Sequence, residues 1–237
     1  MPAGYRPDEE LSPAELAQRD GLAYALFLPQ GTPSGGLVVL HGADSAKESH
    51  YDFARLAVAS GLAALCFDLR GHGDSQGVLG DGALSDVATM AERVREACDG
   101  GPLALRGSSM GGWLALCAAQ SAQAAAVVAI CPAPGHGLAR GVREGRFAFR
   151  ADPEAFEALV SEHDAVAAAA KLGERLLLMH AEGDEQVPVT VSAELHAAAP
   201  GSRFVRLPGG HHRSIQHDGE LQAASLRWLL AGLTAPR

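Results

Sequence analysis

The stretch Leu103-Ala-Leu-Arg-Gly-Ser-Ser-Met-Gly-Gly-Trp113 decides the fold. It sets a G-x-S-x-G pattern, Gly107, Ser109 and Gly111, between a short apolar run (Leu103 to Leu105) and a helical pattern (Gly111 to Ala119). That spacing suits a tight strand-to-helix turn. The serine takes a strained backbone conformation, and small neighbours let the chain pack closely around it. The turn exposes Oγ at the carboxyl end of the sheet. It also aims the free N–H groups of a helix N-terminus at developing negative charge.

Outward from this turn, short apolar runs alternate with helical patterns. Leu37 to Leu40, Ala63 to Phe67, Ala125 to Ile130, Arg175 to Met179 and Phe204 to Leu207 read as strands, most of them continuous apolar runs. Such runs suit strands buried on both faces. Leu22 to Leu28 reads as an early antiparallel edge strand. Between the strands, Tyr51 to Ser60, Ala83 to Ala97, Thr190 to Ala199 and Leu221 to Leu233 read as helices. In the second of these, Val87, Met90, Ala91 and Val94 form one stripe. The alternation predicts an α/β fold, with a mainly parallel, doubly wound sheet flanked by helices. Residues 1–237 make one domain. The exception to the alternation is the segment 132–174, with a Gly/Arg-rich part and one helical pattern from Pro153 to Leu172. An insertion of this length is usually functional or disordered, and we read it as a small lid over the site.

A hydroxyl is a poor nucleophile without a base, and the base needs an orienting acid. Asp184 follows the strand ending at Met179, in His180-Ala-Glu-Gly-Asp184. The adjacent His211 and His212 follow the strand ending at Leu207. All these loops leave the same carboxyl edge, where open α/β sheets place their sites. Gly42 lets the chain turn sharply after the strand ending at Leu40, so the N–H of Ala43 can face the site. With the N–H of Met110 it would form an oxyanion hole. His41 reads as a brace for that loop. Phe147 and Phe149, in the insertion, are candidates for lining the substrate pocket or for packing the lid onto the core.

Composition narrows the function classes. A formal charge of −9, with 47% hydrophobic residues, argues against nucleic acid or an anionic membrane as partner. The four cysteines, Cys66, Cys98, Cys117 and Cys131, form no C-x-x-C pair. They read as core thiols, with no metal site and no cofactor called for. The polar stretch Met1 to Asp20 carries no apolar signal segment, and no apolar run is long enough to span a bilayer. The expectation is a cytoplasmic protein, monomer or homodimer, acting on a small-molecule acyl substrate.

The chain resembles the α/β-hydrolase superfamily over nearly its whole length. The resemblance rests on the elbow at Ser109, the pair His41-Gly42, the segment Phe67-Asp-Leu-Arg-Gly-His-Gly-Asp-Ser75, the GDEQVP loop at Asp184 and the late histidine. It is similar in particular to small carboxylesterases and acyl hydrolases, among them cinnamoyl-esterase-like and dienelactone-hydrolase-like enzymes. The resemblance implies a triad of Ser109, Asp184 and His212. The family's G-x-x-H pattern selects His212 over His211, and its GDxxVP pattern selects Asp184 over Glu182 and Glu185. It implies hydrolysis of a carboxylic ester or thioester through an acyl-enzyme. A peptidase, amidase or C–C hydrolase on the same residues, and a non-catalytic ligand-binding protein, are the alternatives.

Overall fold

In the computed structural model, which describes residues 12–234, Asp20 and Gly21 both take positive φ, 52° and 79°. Two such residues between alternating strands make a two-residue hairpin turn. The turn joins β1 (Glu15–Arg19) antiparallel to β2 (Leu22–Phe27). The sequence reading had no strand at β1, so the early strand lies one place inside the edge. The reading of an absent signal segment falls mostly on residues 1–11, outside the described residues.

Next come β3 (Gly36–Leu40), β4 (Ala63–Phe67), β5 (Leu103–Ser108), β6 (Ala126–Ile130), β7 (Leu176–Ala181) and β8 (Arg203–Leu207). These six run parallel, and β2 joins β4 antiparallel. The sheet order is β1-β2-β4-β3-β5-β6-β7-β8. The chain runs from β3 to β4 on one side, then crosses back to β5 on the other. The order therefore reverses between β3 and β5, the crevice where ligands bind in open parallel sheets.

Both faces are covered. On one, α1 (Tyr51–Ala59) and α9 (Gly219–Thr234) bury Phe53, Ala57, Leu226 and Leu229 against the sheet. On the other, α2 (Ala83–Glu96) and α3 (Met110–Ala118) bury Val87, Met90, Val94 and Leu114. The stripe expected on α2 is the face that is buried. The strands supply alternate residues to the two cores, with Leu37 and Val39 on one side and Val38 and Leu40 on the other. Among the described residues no helix is long and apolar enough to cross a membrane.

The segment 132–174 differs from its sequence reading. Its Gly/Arg-rich part forms α4 (Gly135–Arg143), whose glycines mask a helix that buries Leu138 and Ala139. The single helix expected from Pro153 to Leu172 is two, α5 (Pro153–Glu162) and α6 (Ala165–Leu172). The break falls at Asp164, whose side chain accepts the Val166 N–H at 2.8 Å and caps a new helix. Asp152 caps α5 in the same way, with Pro153 in the first turn. After β7 comes α7 (Val189–Ala198), and after β8 a single helical turn, α8 (Ser214–His217).

Candidate active site

Ser109 is the residue between β5 and α3, with φ 54° and ψ −118°. This region is sparsely populated for any side-chain-bearing residue and persists only when the surroundings over-determine it. They do so here. The Ser109 N–H donates to Ile130 O at 2.9 Å, and Ser109 O accepts the N–H groups of Trp113 and Ala133 at 3.2 and 3.1 Å. A Cβ on Gly107 would lie 2.0 Å from Gly111 O, and one on Gly111 would lie 2.4 Å from Leu40 O. Only glycine permits these approaches, and they press the elbow against the end of β3.

The loop after β3 therefore lies beside the serine, where a Cβ on Gly42 would stand 3.2 Å from Ser109 Cβ. His41 is buried and holds the loop in shape. Its Nε2 accepts the Leu69 N–H at 3.0 Å, so the proton sits on Nδ1 and is donated to Gly42 O at 2.7 Å. Burial, with His72 alongside, holds its pKa down to about 4, so the ring stays neutral. Among the described residues, neither the Ala43 N–H nor the Met110 N–H donates to a protein acceptor. Met110 is the first residue of α3, where the backbone N–H has no partner within the helix.

The loops after β7 and β8 meet at Asp184 and His212. Asp184 Oδ1 accepts the Gln186 and Val187 N–H groups at 2.9 Å each, and Oδ2 lies 2.6 Å from His212 Nδ1. The Asp184 side chain is fully buried, and burial alone would raise its pKa. The Val187 N–H, the His212 ring and the Gln186 N–H outweigh burial and hold it below the usual carboxylate range. His180 Nε2 stands 3.4 Å from the same oxygen and donates to Val187 O at 2.9 Å, while its Nδ1 accepts from Ser192 Oγ at 2.7 Å. Burial lowers the His180 pKa. Of the two adjacent histidines, His212 reaches Asp184. His211 is exposed, and its ring accepts the Arg213 N–H at 3.3 Å.

Ser109, His212, Gly42 and Ala43 line one cavity of about 100 Å³. The rest of its wall is polar and includes Ser45, Ser49, Gln186, Arg213, Gln216 and His217. The sequence reading did not single these out, because polar residues in loops carry no periodic signal. A second cavity of about 1080 Å³ lies among α4, α5 and α7, with Trp113, Leu116, Leu138, Phe147, Val160 and Leu195 on its apolar wall. Gln186 lines both cavities. Phe147 faces the larger one. Phe149 lines neither and stacks on His72, with ring centroids 4.1 Å apart.

Among the described residues, Cys131, Asp184 and His212 bring ligand-type atoms within 4.8 Å of one another. Burial pushes the Cys131 thiol up to about 12, and Asp184 and His212 already bond each other. The trio is therefore poorly prepared to hold a metal, which needs the thiolate.

Solved structures share the fold throughout. Est1E from Butyrivibrio proteoclasticus, solved with ferulic acid bound, superimposes with a TM-score of 0.72 at 19% identity, covering 94% of this chain and 100% of that one. A monoacylglycerol lipase from Paleococcus ferrophilus gives 0.70 at 20% identity, covering 89% and 99%. An α/β serine hydrolase without lid from Xanthomonas campestris gives 0.66 at 23% identity, covering 96% and 99%. No curated protein matches the chain by sequence. Residues 31–151 match the family described as "Serine aminopeptidase, S33", a span from the approach to β3 through the elbow to the segment between α4 and α5. That span is just over half of the 237 residues and stops short of Asp184 and His212. The chain thus belongs to this family of α/β hydrolases.

Proposed function

We propose that the protein is a serine esterase that cleaves a carboxylic ester or thioester of a small to medium acyl group through an acyl-enzyme. The observation that carries this reading is the 2.6 Å contact between Asp184 and His212, in a ring that lines the same small cavity as the strained Ser109. His212 takes the Ser109 proton as Oγ attacks the acyl carbon, then returns it to the leaving group. Asp184 fixes the tautomer with Nε2 free and stabilises the imidazolium that forms. The Ala43 and Met110 N–H groups receive the oxyanion, each contributing about 3 kcal/mol to the transition state. The apolar wall of the larger cavity takes the acyl chain, with the helices of residues 132–174 as its lid and Phe147 as part of that wall. The small polar cavity takes the alcohol or thiol.

The family's description favours a second reading, an aminopeptidase. Glu185 and Glu194 at the larger cavity are the groups that would meet a free α-amine. The two readings separate on substrates. Ser109→Ala should remove p-nitrophenyl butyrate hydrolysis, and the wild type should leave aminoacyl anilides untouched. Activity retained in Ser109→Ala would sink both readings, and faster turnover of anilides than of esters would select the peptidase.

A further inference from the structure

One carboxylate near the site has no part in the triad. Asp44 follows the proposed oxyanion donor Ala43 directly and takes the left-handed conformation, φ 55°. Its side chain reaches across to the insertion, where Oδ1 accepts the Ala148 N–H at 2.7 Å. Ala148 stands between Phe147 and Phe149, and these two rings stack with centroids 5.2 Å apart. Phe149 stacks on His72, and His72 meets the His41 ring edge-on at 4.9 Å. His41 in turn bonds Gly42 O. Further along, the Arg150 N–H donates to Gly71 O at 3.2 Å, so this irregular strap, residues 147–151, is tied down at its far end too.

Two routes therefore connect this strap to the turn Gly42-Ala43. One is the Asp44 clasp, and the other is the ring series Phe149, His72, His41. The same strap supplies Phe147 to the wall of the larger cavity. We infer that Asp44 is a positioning residue, which locks the Ala43 N–H in its oxyanion-binding orientation and couples it to the acyl-pocket wall. This rests on the esterase reading above. A carboxylate so near a developing anion is electrostatically unfavourable, so its value lies in the clasp. An anionic acceptor makes the stronger hydrogen bond.

The residue's two properties can be separated. Asp44→Gly keeps the positive φ and removes the acceptor. Asp44→Asn keeps both, because asparagine tolerates the left-handed region and its carbonyl accepts. With p-nitrophenyl butyrate, Asp44→Gly should lower kcat about tenfold or more with KM within about twofold, a fraction of what losing a whole oxyanion donor costs. It should weaken inhibition by a phenylboronic acid, which forms a tetrahedral anion on the serine, by the same factor. Asp44→Asn should stay within about threefold of wild type in both assays. Thermal unfolding confirms that each variant is folded. Wild-type kcat and boronate affinity in Asp44→Gly would overturn the inference, as would equal impairment of the Gly and Asn variants. Ser109→Ala is run alongside. If it is inactive while Asp44→Gly is unimpaired, only the coupling fails. If it stays active, the esterase reading fails and the coupling with it.

Discussion

The two halves of the proposed site, the nucleophile side at Ser109 and the base side at His212, are built by different means. Ser109 is fixed by backbone. Glycines at 107 and 111 let main chain meet main chain, and the serine's own N–H and C=O are both bonded to neighbouring backbone. His212 sits on a loop between β8 and α8, and the bond that orients its ring is a side-chain bond to Asp184. The first arrangement is rigid and is destroyed by added volume. The second is adjustable and is destroyed by lost hydrogen bonding. Substitutions chosen for each side should therefore fail in different ways.

The largest effect on activity belongs to the side-chain half. Asp184→Asn keeps the shape but offers an amide where His212 needs an acceptor, so the imidazole can settle in the wrong tautomer. A loss in kcat of about 10⁴-fold is expected, with KM little changed. His211→Ala, one residue from the proposed base, should change kcat less than twofold, in line with roughly null effects of exposed substitutions. Esterase kinetics on the two purified variants check the pair. The division of labour between the histidines would be wrong if His211→Ala were the more damaging.

The same contrast explains what was legible in the sequence. Glycine spacing is a backbone signal that survives in one dimension, so the elbow, the sheet and the turn after β3 could be read directly. Asp184 could be placed because it follows a strand at a sheet edge. Composition alone does not separate His211 from His212, since both follow Gly209-Gly210; only the G-x-x-H spacing of the resemblance points to His212, the ring that reaches Asp184. The clasp from Asp44 to Ala148 spans 104 residues of sequence and leaves no pattern at either end. Helix α4 was missed for a third reason. Gly135, Gly137 and Gly141 lower helix propensity, and packing against the Trp113 and Phe147 rings overrides it.

On the backbone half, Gly111→Ala should cost stability as well as rate. Its new methyl would stand 2.4 Å from Leu40 O and 2.5 Å from His41 O, both main-chain atoms with nowhere to move. About 3 kcal/mol or more of destabilisation is expected, measured by urea unfolding, together with loss of the elbow's alignment. By contrast, Asp184→Asn should unfold within about 2 kcal/mol of wild type, since the Gln186 and Val187 N–H groups keep an oxygen acceptor. If the two variants lost stability equally, the backbone and side-chain halves would not be distinct.

The smallest effect is graded and comes from two buried histidines, His41 beside the Ser109 elbow and His50, whose ring stacks on His217 of α8. Burial holds His41 at about 4 and His50 at about 3, against 6.5 for an exposed ring. Both native rings are neutral above these values. The unfolded chain begins to bind protons as pH falls through 6.5, while the native protein does not follow until about 4 and 3. Their contribution to stability is thus complete above pH 6.5 and is lost progressively below it. Each histidine adds a slope of at most about 1.4 kcal/mol per pH unit. His50 offers a clean test, because neither of its ring nitrogens has a hydrogen-bond partner among the described residues. His50→Phe deletes the titration without deleting a bond. Urea midpoints measured from pH 7 to pH 5 should then fall less steeply than in wild type, by nearly one proton's worth. An unchanged slope would show that acid destabilisation enters elsewhere, and that the buried His50 ring is not where low pH acts.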